Sequence, residues 1–265
     1  MEEQLEKFAP DEEGRLNLQF HGWSDLELSL FQNITATEQI LSLDISNNCI
    51  NSIPTGISKL VNLTMFACSN NKIKDLPDCV GALVNLQVFK AKCNIINKIS
   101  TKIGDCIQLE ELYLSENQLE GLPDDIIKCK RLRILQLQNN KLHSLPFALG
   151  TRHRKLELKV SNNPHLNRII PQEMQDESDA IFCMLNYHHE QKQKIQKISH
   201  AIQDLRNNAH ERDKSLEEIQ KNTSRVEEDV DQLLFERADC NFYLGAKAVF
   251  VRLKRAINKA MVNSV

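Results

Sequence analysis

Glycine and proline are scarce in this chain of 265 residues, at eight and seven. After Pro171 no proline remains and Gly245 is the only glycine, so this stretch reads as helix. Without clustered glycines there is no phosphate-cradling GxxxxGK or GxGxxG loop. GxSxG and HExxH are missing too, which leaves no nucleophile elbow and no helical zinc pair. None of the eight cysteines forms a CxxC pair. No apolar run approaches the roughly 20 residues of a membrane-spanning helix. The net charge of −3 gives no overall attraction to nucleic acid or bilayers. The opening MEEQLEKFAPDEEG is acidic and lacks the apolar core of a secretory signal. These absences lead to the expectation of a soluble, cytoplasmic, non-enzymatic chain with no cofactor.

What is present is a grid. From Leu109 the chain reads LEELYLSENQLEGLPDDIIKCKR, and the same spacing recurs every 23 residues from Ile40, Leu63, Leu86 and Leu132. The fourth position reads Leu43, Phe66, Phe89, Leu112, Leu135, and the sixth Ile45, Cys68, Ala91, Leu114, Leu137. The fourteenth reads Ile53, Leu76, Ile99, Leu122, Leu145. Proline follows at 54, 77, 123 and 146, and Ser100 is the one departure. The LxL step predicts a short strand with alternate side chains turned inward. Asn48, Asn71, Asn94, Asn117 and Asn140 end those strands, where a side-chain amide can meet backbone groups stranded by the turn. No single unit can bury its apolar wedge alone, so stacked units form a curved parallel sheet, an α/β solenoid.

The grid, over roughly residues 13–172, resembles the Ras-group leucine-rich repeats, the intracellular kind with LP steps and 23-residue units. That resemblance implies cytosolic protein–protein recognition, in some members of small GTPases or phosphatases, and names no single partner. Cys68, Cys106 and Cys129 take core positions of the repeat, as small hydrophobes. Cys49, Cys79 and Cys93 fall beside the grid; a reducing compartment is expected.

In chain order the reading is a polar tail (1–12), a capping repeat (13–39) and five repeats (40–154). A partial repeat with a capping helix (155–190), a coiled-coil helix (191–240) and a basic amphipathic helix (241–265) follow. The capping repeat is four residues longer than the others, with Leu16 and Leu18 as strand positions, Leu26 at the offset that follows, and Trp23 as a lid on the open core end. Arg152 stands where a core apolar residue belongs, so the fifth repeat decays. Leu158, Val160 and Asn163 keep the grid in the partial unit, and Ile181, Phe182, Met184 and Leu185 supply the cap helix's apolar face.

From Ile195 a heptad runs through Ile198, Ile202, Leu205, Leu216, Ile219, Val226, Val230 and Leu233, which predicts a coiled-coil seam. As one helix, Met184 to Cys240 would span roughly 85 Å. Ala209 and Arg212 weaken the seam inside RNNAHERD, so self-association, a hetero-coiled coil and an antiparallel hairpin all stay open. Residues 173–239 carry 16 acids against nine bases. The last stretch sets Phe250, Leu253, Ile257 and Met261 on one helical face among Lys247, Arg252, Lys254, Arg255 and Lys259. An acidic partner, a calmodulin-like protein and a membrane surface all fit that face, as does a packed helix with a solvated side.

Cys183 with His188 and His189 suggests a metal, but on a helix the histidines point away from the face of 183 and 187, so no metal site is expected. Asp124 and Asp125 read as a turn. The informative surface is the concave face of the sheet. There Met65, Val88, Tyr113 and Ile134 form an apolar stripe rimmed by Lys90, Lys92, Glu111 and Glu116, with Gln136 beside it. An apolar centre with a charged rim suits a protein partner. The expectation is an interaction adaptor, concave face on a protein partner and tail for assembly. The other reading is a regulatory or targeting subunit of a phosphatase, small-GTPase pathway or ubiquitin ligase, docked through the tail. Cytoskeletal or ciliary association fits the coiled coil.

Overall fold

The computed structural model describes residues 9–24, 37–151, 156–168, 170–175 and 177–209. The readings at Leu26 and Arg152, the heptad beyond Ala209 and the basic C-terminal helix lie outside the described residues. Packing divides the chain into two units, Met1–His189 and Glu190–Val265.

The LxL steps are the strands. β1 Arg15–Asn17, β2 Ser42–Asp44, β3 Met65–Ala67, β5 Val88–Lys90, β7 Glu111–Tyr113, β8 Ile134–Gln136 and β9 Glu157–Lys159 form one seven-stranded parallel sheet in chain order. Pairing never slips: Leu16, Leu43, Phe66, Phe89, Leu112, Leu135 and Leu158 stand opposite one another from strand to strand. All seven are buried, because a one-residue slip would turn the whole row to water. Phe66 and Phe89 stack with centroids 5.2 Å apart.

The return path is short, and this decides its geometry. Only eight residues separate position 54, 77, 100 or 123 from the next repeat, and the first five of them, Thr55–Lys59, Asp78–Ala82, Thr101–Asp105 and Asp124–Lys128, form 3-10 turns. Just before two of these turns, β4 Asp75–Leu76 and β6 Lys98–Ile99 pair as a separate two-stranded sheet. Pro54, Pro77 and Pro123 precede their turns at φ −69°, −77° and −65° without any side-chain cap. Ser100 reaches φ −62° without a proline ring. Its hydroxyl instead accepts from the Lys102 amide at 3.0 Å and donates to Asp78, a side-chain cap in place of a preset dihedral.

Each ladder asparagine joins its own repeat to the one before. Asn117 Nδ2 donates to Leu114 O at 3.1 Å and to Ala91 O of the preceding repeat at 2.9 Å. Its Oδ1 accepts from the Ile96 amide at 3.0 Å. Asn71, Asn94, Asn140 and Asn163 repeat this pattern. Asn48 does the same toward the first repeat, donating to Leu18 O and accepting from His21 and Trp23. The residue just before each of them turns through the left-handed region: Asn47, Asn70, Cys93, Glu116, Asn139 and Asn162 have φ between 53° and 59°. Phe20, at φ 61°, holds this place in the first repeat, so the four extra residues fall between Phe20 and Asn47.

Both ends of the core are covered. Trp23 is half-buried against it, with its ring 5.0 Å from that of His21. At the other end the helix α1 Ser178–Ala209 begins. Ile181 and Leu185 are fully buried and Phe182 packs beside them, while Met184 is half-exposed. The expected boundary at 190/191 falls inside this unbroken helix. Backbone groups on the open edge of β9 are closed by the chain that leads into α1. Ser178 Oγ accepts from the Leu158 amide at 2.9 Å and donates to its carbonyl at 3.1 Å. The Val160 amide donates to Gln175 O at 3.0 Å.

Two outcomes test this construction. Asn117→Ala leaves the Ile96 amide without its buried acceptor, while Ala91 O and Leu114 O keep their bonds from Asn94 and Asn140, and should lower the unfolding free energy by about 2 kcal/mol in a urea titration. A Cβ at Gly150 would collide with the α1 backbone at Leu185 and Asn186. Gly150→Ala should therefore cost about 2 kcal/mol and make α1 the first site of limited proteolysis.

Candidate functional site

The sheet is one layer thick, so every second strand residue points away from the core. Strand register sets these side chains in rows. One row runs Ser42, Met65, Val88, Glu111, Ile134, Glu157, and the next Asp44, Ala67, Lys90, Tyr113, Gln136, Lys159. Met65, Val88, Lys90, Lys92, Glu111, Tyr113, Ile134 and Gln136 are all half-buried on this face. The rows bring Met65 against Val88 and place Tyr113 between Lys90 and Gln136. They set Glu111 between Val88 and Ile134, so the apolar stripe is interrupted rather than continuous.

Tyr113 is held at both its hydroxyl and its ring. Its hydroxyl donates to Glu111 Oε2 at 2.8 Å, and Lys92 Nζ stands 4.8 Å from its ring centroid. Glu111 is in turn met by Arg133 at 3.4 Å, and Arg133 reaches Glu110 at 3.0 Å. Burial pushes the Tyr113 phenol up, and the hydrogen bond and charge of Glu111 add to it. The ring therefore stays neutral and keeps donating across the physiological range. Lys90 makes no ion pair among the described residues, and its neighbour in β3 is the small Ala67. The result is an open cationic position beside a fixed aromatic ring, with Met65 and Val88 next to them. Farther out, Lys159 pairs with Glu157 at 3.0 Å and Gln19 donates to Asp44 at 2.8 Å. Glu116 is exposed at the rim, where it accepts from Cys93 Sγ at 3.3 Å.

Sequence reasoning missed Arg133, because its role depends on two carboxylates about 23 positions earlier that only stacking brings near. It also missed a row of exposed apolar residues, Val61, Val84 and Ile107, lying outside the grid letters. Their shared 23-residue spacing was the available signal.

Two of the core cysteines, Cys68 and Cys106, are held as neutral thiols. Cys68 is fully buried, and burial, with the Asp44 charge adding to it, drives its thiol far above the ordinary range. Burial likewise pushes Cys106 up to about 12. Cys106 and Cys129 donate to Val80 O and Ile103 O of the preceding repeats, each at 3.3 Å. Among the described residues no three His, Cys, Asp or Glu side chains gather in a way that could hold a metal. His188 stacks on Phe147 at 5.3 Å, and Cys183 is exposed. Nor is any helix among the described residues long and apolar enough to cross a membrane.

Two family models match: "Leucine Rich repeats (2 copies)" over residues 107–149 and "Leucine Rich Repeat" over residues 39–60. The chain thus carries leucine-rich repeats, and its fold is a leucine-rich repeat solenoid with a helical tail. Among solved structures it is similar to the Arabidopsis receptor kinase HAESA, seen in complex with the peptide hormone IDA and the co-receptor SERK1. The match has 31% identity and a TM-score of 0.46, and covers 52% of this chain and 23% of that one. No curated protein matches the chain. Leucine-rich repeats generally mediate protein–protein contact.

With iodoacetamide at about pH 8, the exposed Cys183 should be alkylated in the native chain, while Cys68 and Cys106 should label only in denaturant, as read by peptide mass spectrometry.

Proposed function

We propose that this chain is a non-enzymatic interaction adaptor. The concave sheet face grips a protein partner, and the helical tail assembles the adaptor with itself or with another helix. The observation that carries the reading is Tyr113, fixed between Lys92 and Glu111 beside the apolar pair Met65 and Val88 and beside Lys90, which has no ion pair among the described residues. An aromatic anchor held before binding loses little rotamer entropy on contact, and interfaces concentrate their energy on such residues. Lys90 adds a charge that selects partners and speeds encounter. The resemblance to Ras-group repeats supports the same reading. A second contact through the tail would raise affinity by effective concentration. The seven described cysteines are all free, which fits a reducing, cytoplasmic setting.

The test compares full-length wild type with the Tyr113→Ala/Lys90→Glu double variant as affinity baits, with retained proteins quantified by mass spectrometry. Recovery of the specific partner should fall about tenfold or more, the loss expected when a hot-spot residue is truncated. The unfolding midpoint should shift by no more than about 1 kcal/mol. Undiminished recovery would remove the concave face from the contact.

A further inference from the structure

A second surface lies on the turn that leads into each strand, away from the concave face. Val61, Val84 and Ile107 occupy one register of three consecutive repeats and are 45%, 45% and 54% exposed. Apolar side chains exposed singly are ordinary on protein surfaces. Three in register form a ridge roughly 10 Å long, since stacked repeats advance by about 4.8 Å. The backbone beneath makes no demand on a partner: the Val84 and Ile107 amides donate to Ala82 O and Asp105 O at 3.0 and 2.9 Å. The flanking Asn62 and Asn85 amides donate to Glu38 O and Val61 O, both at 2.9 Å. In the next repeat this register holds Lys130, inside an exposed basic block with Lys128, Arg131 and Arg133. Lys128 pairs with Asp125, and Arg133 with Glu110 and Glu111. Among the described residues Lys130 and Arg131 have no ion pair. The edge is thus apolar along three repeats and cationic at the fourth.

The complementary pattern is written in residues 213–233 of the same sequence. Leu216, Ile219, Val226, Val230 and Leu233 carry the apolar seam there, among seven acids and three bases. We propose that residues 213–233 of a second copy of this chain dock along this edge, with the seam on Val61, Val84 and Ile107 and the carboxylates over Lys130 and Arg131. The proposal rests on the reading of the tail as the assembly element. Specific interfaces bury roughly 1,200 Å² at minimum, which favours more than one such contact. A two-fold exchange, in which each copy supplies both an edge and a segment, provides two.

The experiment uses full-length chain as an equal mixture of natural and ¹⁵N-labelled protein. A carbodiimide joins touching carboxylates and amines, and the cross-linked peptides are read by mass spectrometry. Mixed-isotope links from Lys128 or Lys130 to Glu217, Glu218, Glu227 or Glu228 are expected. In the Val84→Asp/Ile107→Asp variant these links should fall about tenfold, equivalent to about 1.4 kcal/mol of contact. The internal Asp125–Lys128 link should persist there and report an intact fold. Links confined to one isotope, or undiminished in the variant, would overturn the proposal. Mixed-isotope links that join tail to tail only would overturn it too, while leaving the tail as the assembly element.

Discussion

The buried asparagine amide is the interaction on which the rest depends. Each ladder side chain donates to carbonyls of two successive repeats and accepts an amide from the earlier one. A buried amide has no substitute in water, so the position admits no apolar replacement despite lying in a wall of leucines. These bonds run between repeats, and they fix how far each unit is turned relative to its neighbour. The strand register, and through it the rows on the exposed face, follow from that.

A surface built this way presents side chains at fixed intervals on a stiff backing. Its chemistry is decided by which residues fill the outward strand positions, since the inward ones are committed to the core. Tyr113 illustrates the gain. Its hydroxyl and ring are each engaged by a charged neighbour, Glu111 from its own strand and Lys92 from the repeat before. The arrangement needs no loop to order on binding. The lateral ridge has the same origin, because a position outside the grid is free to vary yet still repeats with the stacking.

The strands, the core rows and the asparagine positions were legible in the sequence because each is a fixed offset in a 23-residue period. Leu43, Phe66 and Leu112 could be placed inward, and Asn117 at its turn, without any structure. Less legible was anything set by contact between repeats. Glu111 breaks the apolar stripe only once register places it between Val88 and Ile134. Arg133 acquires its carboxylates the same way. Cys93 and Glu116 occupy left-handed backbone that Asn tolerates better, and neither residue announces that from its own preferences. Ser100 looked like a lapse from the proline pattern, yet a side-chain hydrogen bond does the proline's work there. At the helical end, local apolar spacing identified Ile181 and Leu185 but could not reveal that Gly150 leaves room for the helix backbone.

The closure of β9 by Ser178 and Gln175 bears on how such a chain can change in length over evolutionary time. These two residues meet the last repeat through main-chain groups of Leu158 and Val160, and each internal repeat is bonded to the repeats on either side of it. A duplication or loss of one whole 23-residue unit inside the array would preserve every one of these contacts, whereas a unit appended beyond β9 would have to displace the helix first. Variation in repeat number among descendants of such a gene is therefore expected in the middle of the array, where it lengthens or shortens the outward rows without disturbing either end.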